Sequence, residues 1–133
     1  MIGARELIRV GQRMTASIPI ITPRTSVATA LRLLREHGAP ALPVADGPHF
    51  VGLVSEKALL RLTPSDATTL DVYELREVLD RLTVGRVVER TPIVAPDAPL
   101  DQAKTLMLSE GREVLPVLDG GRLVGVLHWT ALF

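Results

Sequence analysis

The sequence predicts a mixed α/β (α+β) fold built from two copies of one β-α-β-β-α unit. Three observations carry that expectation. The chain matches itself without a gap when slid by 73 positions: Pro19 falls on Pro92, Ile20 on Ile93, Pro23 on Pro96, Ala30 on Ala103, Gly38 on Gly111 and Gly52 on Gly125. The phrase "LPVADG" at 42–47 returns as "LPVLDG" at 115–120. Each copy also switches from helical spacing of its apolar residues to short continuous apolar runs, the signature of a helix followed by covered strands. A repeat of this kind has to be recognised before any single element is assigned.

Taken in order, "SIPIIT" (17–22) is a short β-branched segment stopped by Pro23, and "RTPIVA" (90–95) is its counterpart before Pro96. Ser26 is placed to cap a helix whose apolar face is Val27, Ala30, Leu31 and Leu34, with Gly38 as its C-terminal stop. In the second copy Pro99 suits a first helical turn, Leu100, Ala103 and Met107 form the stripe, and Gly111 ends it. Lys104, opposite Leu31, interrupts that stripe and is expected to snorkel. "ALPVADGPHFVGLV" and "VLPVLDGGRLVGVL" then read as strand, Asp-Gly turn and strand, leading into helix starts at "SEKALLRL" and "HWTALF". Between the copies, "TPSDATT" is a loop and "DVYELREVLDRL" a linker helix with Val72, Leu75, Leu79 and Leu82 on one side. The organisation is therefore residues 1–62 as a first repeat with its N-terminal segment, 63–83 as linker loop and helix, and 84–133 as the second repeat, all forming one compact module.

Composition narrows the function classes. A half of about 60 residues buries too little surface to be comfortable alone, so the copies are expected to share a core. With 47% apolar but only 3% aromatic residues, that core is aliphatic. The 15 basic and 15 acidic residues cancel, leaving no global field for nucleic acid or acidic membranes. No apolar run is long enough to span a bilayer and the start shows no signal-peptide pattern, so a cytoplasmic protein is expected. Cysteine is absent, which removes disulfide and thiolate chemistry. No pair of histidines has metal-ligand spacing, and no Ser, His and carboxylate recur at analogous places, so neither a metal site nor an enzyme is expected.

The duplicated order of "LPV", Asp-Gly turn and "VGLVSEKALL" or "VGVLHWTALF" resembles the cystathionine-β-synthase (CBS) domain, and two copies in tandem resemble a CBS pair, or Bateman module. The likeness covers nearly the whole chain, and "TPSDATTLDVYEL" leading into "LTVGRVV" is similar to the connector of small stand-alone bacterial CBS-pair proteins of the acetoin-utilisation type. The resemblance implies two repeats packed about a pseudo-twofold axis and a non-enzymatic regulatory module. It further implies a cleft between repeats for an adenosine-type ligand such as AMP, ATP or S-adenosylmethionine, and pairs that dimerise into a disc. The regulated protein partner is unknown.

The same resemblance places a Ser or Thr three residues after the glycine of the last strand, and a ribose-binding Asp six after it. From Gly52 these positions are Ser55 and Ala58; from Gly125 they are His128 and Ala131. Both aspartates are replaced by alanine. The candidate ligand-binding set is Thr22, Ser55, Lys57 and Ala58 in the first copy and His128, Thr130 and Ala131 in the second. Structural roles compete for several of these side chains. Ser55 is placed to cap the helix that begins there, and His128 to cap or sit exposed. His37 is placed to meet the last carbonyls of its helix, and His49 to be solvated in its turn. "DGG" at 119–121 is a turn because a strand, not a helix, follows it, and Arg81, Arg86 and Arg90 are balanced by Asp80 and Glu89. With both ribose carboxylates gone, the alternative to a ligand sensor is a ligand-free dimerisation scaffold, its apolar surface supplied by "ALLRL" (58–62) and "TALF" (130–133).

Overall fold

A computed structural model describes residues 7–62 and 71–133; the loop read at 63–69 and residues 1–6 lie outside them. The elements are α1 (Val27–His37), β1 (Ala41–Asp46), β2 (His49–Ser55), α2 (Glu56–Leu60), α3 (Val72–Arg81), α4 (Leu100–Glu110), β3 (Val114–Asp119) and β4 (Arg122–His128). Three-residue 3-10 turns lie at Val10–Gln12 and Val84–Arg86, and a longer one at Trp129–Leu132.

Local chemistry explains the helices. Ser26 Oγ accepts the Thr29 N–H, and Gly38, at φ 57°, takes the left-handed C-terminal position that a side chain would resist. Val27, Ala30 and Leu34 are buried and Leu31 half-buried, the face expected from spacing. In α4, Leu100, Ala103 and Met107 are buried and Gly111 closes the helix at φ 62°. Pro99 stands one residue earlier than expected, as the N-cap rather than inside the first turn, because its ψ of 140° is extended. Lys104 is exposed, its Nζ 5.8 Å from the centroid of the Phe133 ring. The linker helix α3 forms on the Asp71 cap but buries none of its residues; Leu75, Val78 and Leu79 are half-buried, and Val72 is 74% exposed.

Each hairpin is antiparallel with a two-residue turn: Asp46 pairs with His49, and Asp119 with Arg122. Gly47 and the Gly120-Gly121 pair have positive φ, as tight hairpin turns require. Residues 41–44 and 114–118 are buried consecutively, as continuous apolar runs predict for strands covered on both faces. Both ladders carry a bulge at one place, between Val44 and Ala45 and between Val117 and Leu118.

The segments read as opening strands do not become strands. Ile21 makes a single parallel bridge to Val44, and Val94 one to Val117. Each rests on two backbone hydrogen bonds, Ile21 N–H to Pro43 O and Ala45 N–H to Ile21 O in the first copy, and their counterparts in the second. Prolines explain the brevity: Pro19, Pro43, Pro92 and Pro116 have no N–H to extend the ladder.

The chain packs as two compact units that cut across the sequence division at 62 and 84. One joins the described residues up to Ile18 with Thr91–Phe133, the other is Pro19–Arg90. In the first, Val10 is fully buried in a cluster with Val94, Ala103, Met107, Leu115, Val117 and Leu127. Its segment is tied in by Val10 N–H to Ala98 O, Gly11 N–H to Pro96 O and an antiparallel bridge from Thr15 to Val126. In the other, Val84 N–H reaches Thr25 O, Gly85 N–H reaches Pro23 O, and Glu89 bridges Leu53. Each repeat's hairpin is thus completed by the "VG" segment that lies ahead of the other repeat in sequence.

Candidate functional site

The expected site residues form two local groups. At the start of α2, Ser55 Oγ accepts the Ala58 N–H at 3.1 Å, so the hydroxyl serves as the helix cap. Ala58 is only 4% exposed, while Lys57 is exposed and has no hydrogen-bond or ion-pair partner among the described residues. At the start of the last turn, His128 Nδ1 lies 3.2 Å from the Thr130 N and 2.6 Å from its Oγ1. Thr130 is exposed, and Ala131 is half-buried against the Val10–Leu127 cluster.

Thr22 stands apart from Ser55. Ile21 bridges Val44 near one end of β1, whereas Ser55 pairs with Ala41 at the other. Three residues at about 3.3 Å each put Ile21 and Ser55 roughly 10 Å apart along the strand direction, and Thr22 follows Ile21 in the chain. Thr22 is engaged in its own turn: its hydroxyl accepts the Arg24 N–H, and its N–H donates to Thr25 Oγ1.

Other sequence-level readings find their places. His37 Nδ1 is 3.0 Å from Leu33 O, the end-of-helix contact expected of it, and His49 is exposed. Arg81 pairs with Glu77 on α3. Among the described residues no group of three or more His, Cys, Asp or Glu side chains is placed to hold a metal ion.

Three features at these helix starts lay outside the sequence reading. A Cβ on Gly52 would sit 2.3 Å from Glu89 O, and one on Gly125 2.8 Å from Thr15 O. The two glycines therefore admit the crossing backbone that bonds to Leu53 and Val126, one residue past each. Arg13, third, donates from one guanidinium nitrogen to the carbonyls of Ala131 and Phe133, holding the turn that carries His128 and Thr130. The signal was present as "VG" at 10–11 and 84–85, but its offset of 74 is out of step with the 73-residue repeat.

Comparison with known proteins agrees with this architecture. The model of the CBS domain matches residues 5–65 and again 84–133. The chloroplastic CBS domain-containing protein CBSX2 of Arabidopsis thaliana is 32% identical over 140 residues, covering 89% of this chain and 59% of that protein. An inosine-5'-monophosphate dehydrogenase of Korarchaeum cryptofilum is 29% identical over 98% of the chain, which spans only 25% of it. Among solved structures, CBSX2 in complex with AMP matches with a TM-score of 0.74, 32% identity and coverage of 93% of this chain and 92% of that one. An acetoin utilization protein of Vibrio cholerae matches with a TM-score of 0.78 at 21% identity, covering 95% and 87%. With its duplicated hairpins, its glycine-gated backbone crossings and two matches to one family model, the chain belongs to the CBS domain family as a tandem pair.

Proposed function

We propose that this chain is a regulatory CBS-pair module, without catalysis of its own, that binds an adenosine-type small molecule such as AMP, ATP or S-adenosylmethionine. The observation that carries the reading is the 32% identity, over 93% of the chain, to a CBS-pair protein whose structure was solved with AMP. The retained hydroxyl of Ser55, three residues after Gly52, supports it. The module works as a homodimer in the cytoplasm, and no helix of the described residues is long and apolar enough to cross a membrane. The candidate contacts are Ser55, Lys57 and Ala58 in the first repeat and His128, Thr130 and Ala131 in the second, with Thr22 contacting a more distant part of the ligand.

A second reading, a scaffold that binds no nucleotide, has its own support. Ala58 and Ala131 carry no carboxylate for a ribose, and the Ser55 hydroxyl already caps a helix. Thermal unfolding with AMP, ATP and S-adenosylmethionine separates the two. Ligand at about a hundred times its dissociation constant adds roughly 2.7 kcal/mol, or on the order of 10 °C in Tm for a chain of this length. No shift with any of the three, and no adenosine compound detected by mass spectrometry in denatured fresh protein, establishes the scaffold reading instead.

A further inference from the structure

The two repeats hold their last turn by different means. In the second, Arg13 Nη1 donates to Ala131 O at 3.0 Å and to Phe133 O at 3.2 Å, two carbonyls at the end of the Trp129–Leu132 turn. The last carbonyls of a helical turn have no partner within it, and a cationic donor suits that negative end. Arg13 is half-buried, and its backbone is fixed on both sides. Val10 N–H bonds Ala98 O, Gly11 N–H bonds Pro96 O, and Thr15 gives and takes a hydrogen bond with Val126.

Arg13 stands two residues ahead of Thr15 and its bridge to Val126. At the matching place in the first repeat, two residues ahead of Glu89 and its bridge to Leu53, the chain has Val87. An isopropyl group donates nothing, and there the chain carries its own donor past α2, from Leu62 N–H to Leu59 O. No Asp or Glu side chain pairs with Arg13 among the described residues, so the two carbonyls orient its guanidinium. These contacts join positions 118 and 120 residues apart, so the turn depends on a segment far from it in sequence.

We propose that Arg13 is a positioning residue for the second repeat: its guanidinium fixes the turn that presents His128 and Thr130. That group is then conditional on the seating of residues 10–15, and the Ser55–Ala58 group is not. For a bound ligand this rests on the nucleotide reading above, whereas the hold on the turn is a property of the chain alone.

The test is amide hydrogen exchange on the whole protein, with and without AMP, in the parent and in Arg13→Met, which keeps an unbranched apolar stem and loses the donor. Arg13→Val, which copies the first repeat, takes its place should that variant not fold. Without AMP, protection of the Thr130 amide is expected to fall about tenfold, the scale of a bond from a charged donor, and to recover in Arg13→Lys. The Ala58 amide, bonded to Ser55 Oγ, and the Leu118 amide, bonded to Val94 O, keep theirs. With AMP, the added protection at Thr130 is lost in Arg13→Met, while that at Ala58 stays. Parental protection of Thr130 in AMP-free Arg13→Met, an equal loss at Ala58 and Leu118, or no recovery in Arg13→Lys overturns the hold on the turn. Added protection by AMP at Thr130 persisting in Arg13→Met overturns the positioning role. AMP leaving both amides of the parent unchanged refutes the nucleotide reading instead, and the AMP-free comparison alone then decides whether Arg13 holds the turn.

Discussion

At Gly52 the absence of a side chain is what lets two segments of backbone meet. Glu89 O would stand 2.3 Å from a Cβ there, and the atom in the way is backbone, bonded to Leu53 on the next residue, so it has little room to yield. Gly52→Ala is expected to cost about 2–3 kcal/mol, read as a lower urea midpoint at unchanged slope. Gly125→Ala meets Thr15 O at 2.8 Å and is expected to cost less. A second residue-scale test addresses the missing carboxylate. Ala58→Asp buries an acid at a position 4% exposed, lowering stability without ligand, and a charge-assisted hydrogen bond to a ribose hydroxyl raises adenosine affinity about tenfold to a hundredfold. Titration calorimetry showing no gain for AMP, ATP or S-adenosylmethionine in the folded variant removes adenosine geometry from that helix start.

Helices in this protein depend on their surroundings to different degrees, and their caps show it. Ser26 caps α1, whose Val27, Ala30 and Leu34 are buried, while Asp71 caps α3, in which no residue is more than half-buried. Ser26→Ala is therefore expected to lower global stability by about 1 kcal/mol, since α1 unfolds only with its core. Asp71→Ala removes a similar hydrogen bond, Glu74 N–H to Asp71 Oδ1, but is expected to leave the global midpoint unchanged and to raise amide exchange within 72–81. An equal fall in midpoint for both variants contradicts this division. The two-residue hairpin turns and both left-handed glycine stops were legible in sequence because their chemistry is local. The opening strands were misread for the same reason: β-branched residues suggested a strand, but a ladder needs partners' N–H groups, which prolines on both sides withhold.

For the molecule as a whole, the swap of the "VG" segments ties distant parts of the chain into each unit. Val10 and Val84 are both fully buried, Val10 in a cluster with Leu115, Val117 and Leu127 of the distant β3–β4 hairpin and Val84 bonded through its N–H to Thr25 O. Val10→Ala and Val84→Ala are each expected to cost roughly 2 kcal/mol by cavity formation. The Val10 change should chiefly weaken amide protection in β3 and β4, and the Val84 change in β1 and β2; uniform loss in both variants contradicts this assignment. The apolar surface expected to drive dimerisation is only partly available: Ala58 and Leu59 are buried, leaving Leu60 at 53% and Phe133 at 78% exposed. Light scattering is expected to give twice the 14.4 kDa chain mass, reduced to one chain mass in a Leu60→Glu, Phe133→Glu variant. A monomer in the parent at micromolar concentration ends the dimer proposal.

The duplication, the faces of α1 and α4, the hairpins and the family resemblance all followed from the sequence, because periodicity, glycine stops and turn residues act over a few neighbouring positions. So did the loss of both ribose aspartates at Ala58 and Ala131, a matter of residue identity alone. Which segment completes which hairpin did not follow. Val10 clusters with Leu115 and Leu127, and Glu89 crosses beside Gly52, through contacts 37 to 117 residues apart in the chain that no local pattern encodes. Tertiary structure likewise separated Thr22 from Ser55 along β1, since distance along a strand depends on register rather than on repeat position. It also gave Arg13 its carbonyl partners and His128 its acceptor role, because a capping atom is defined only once the turn it closes has formed.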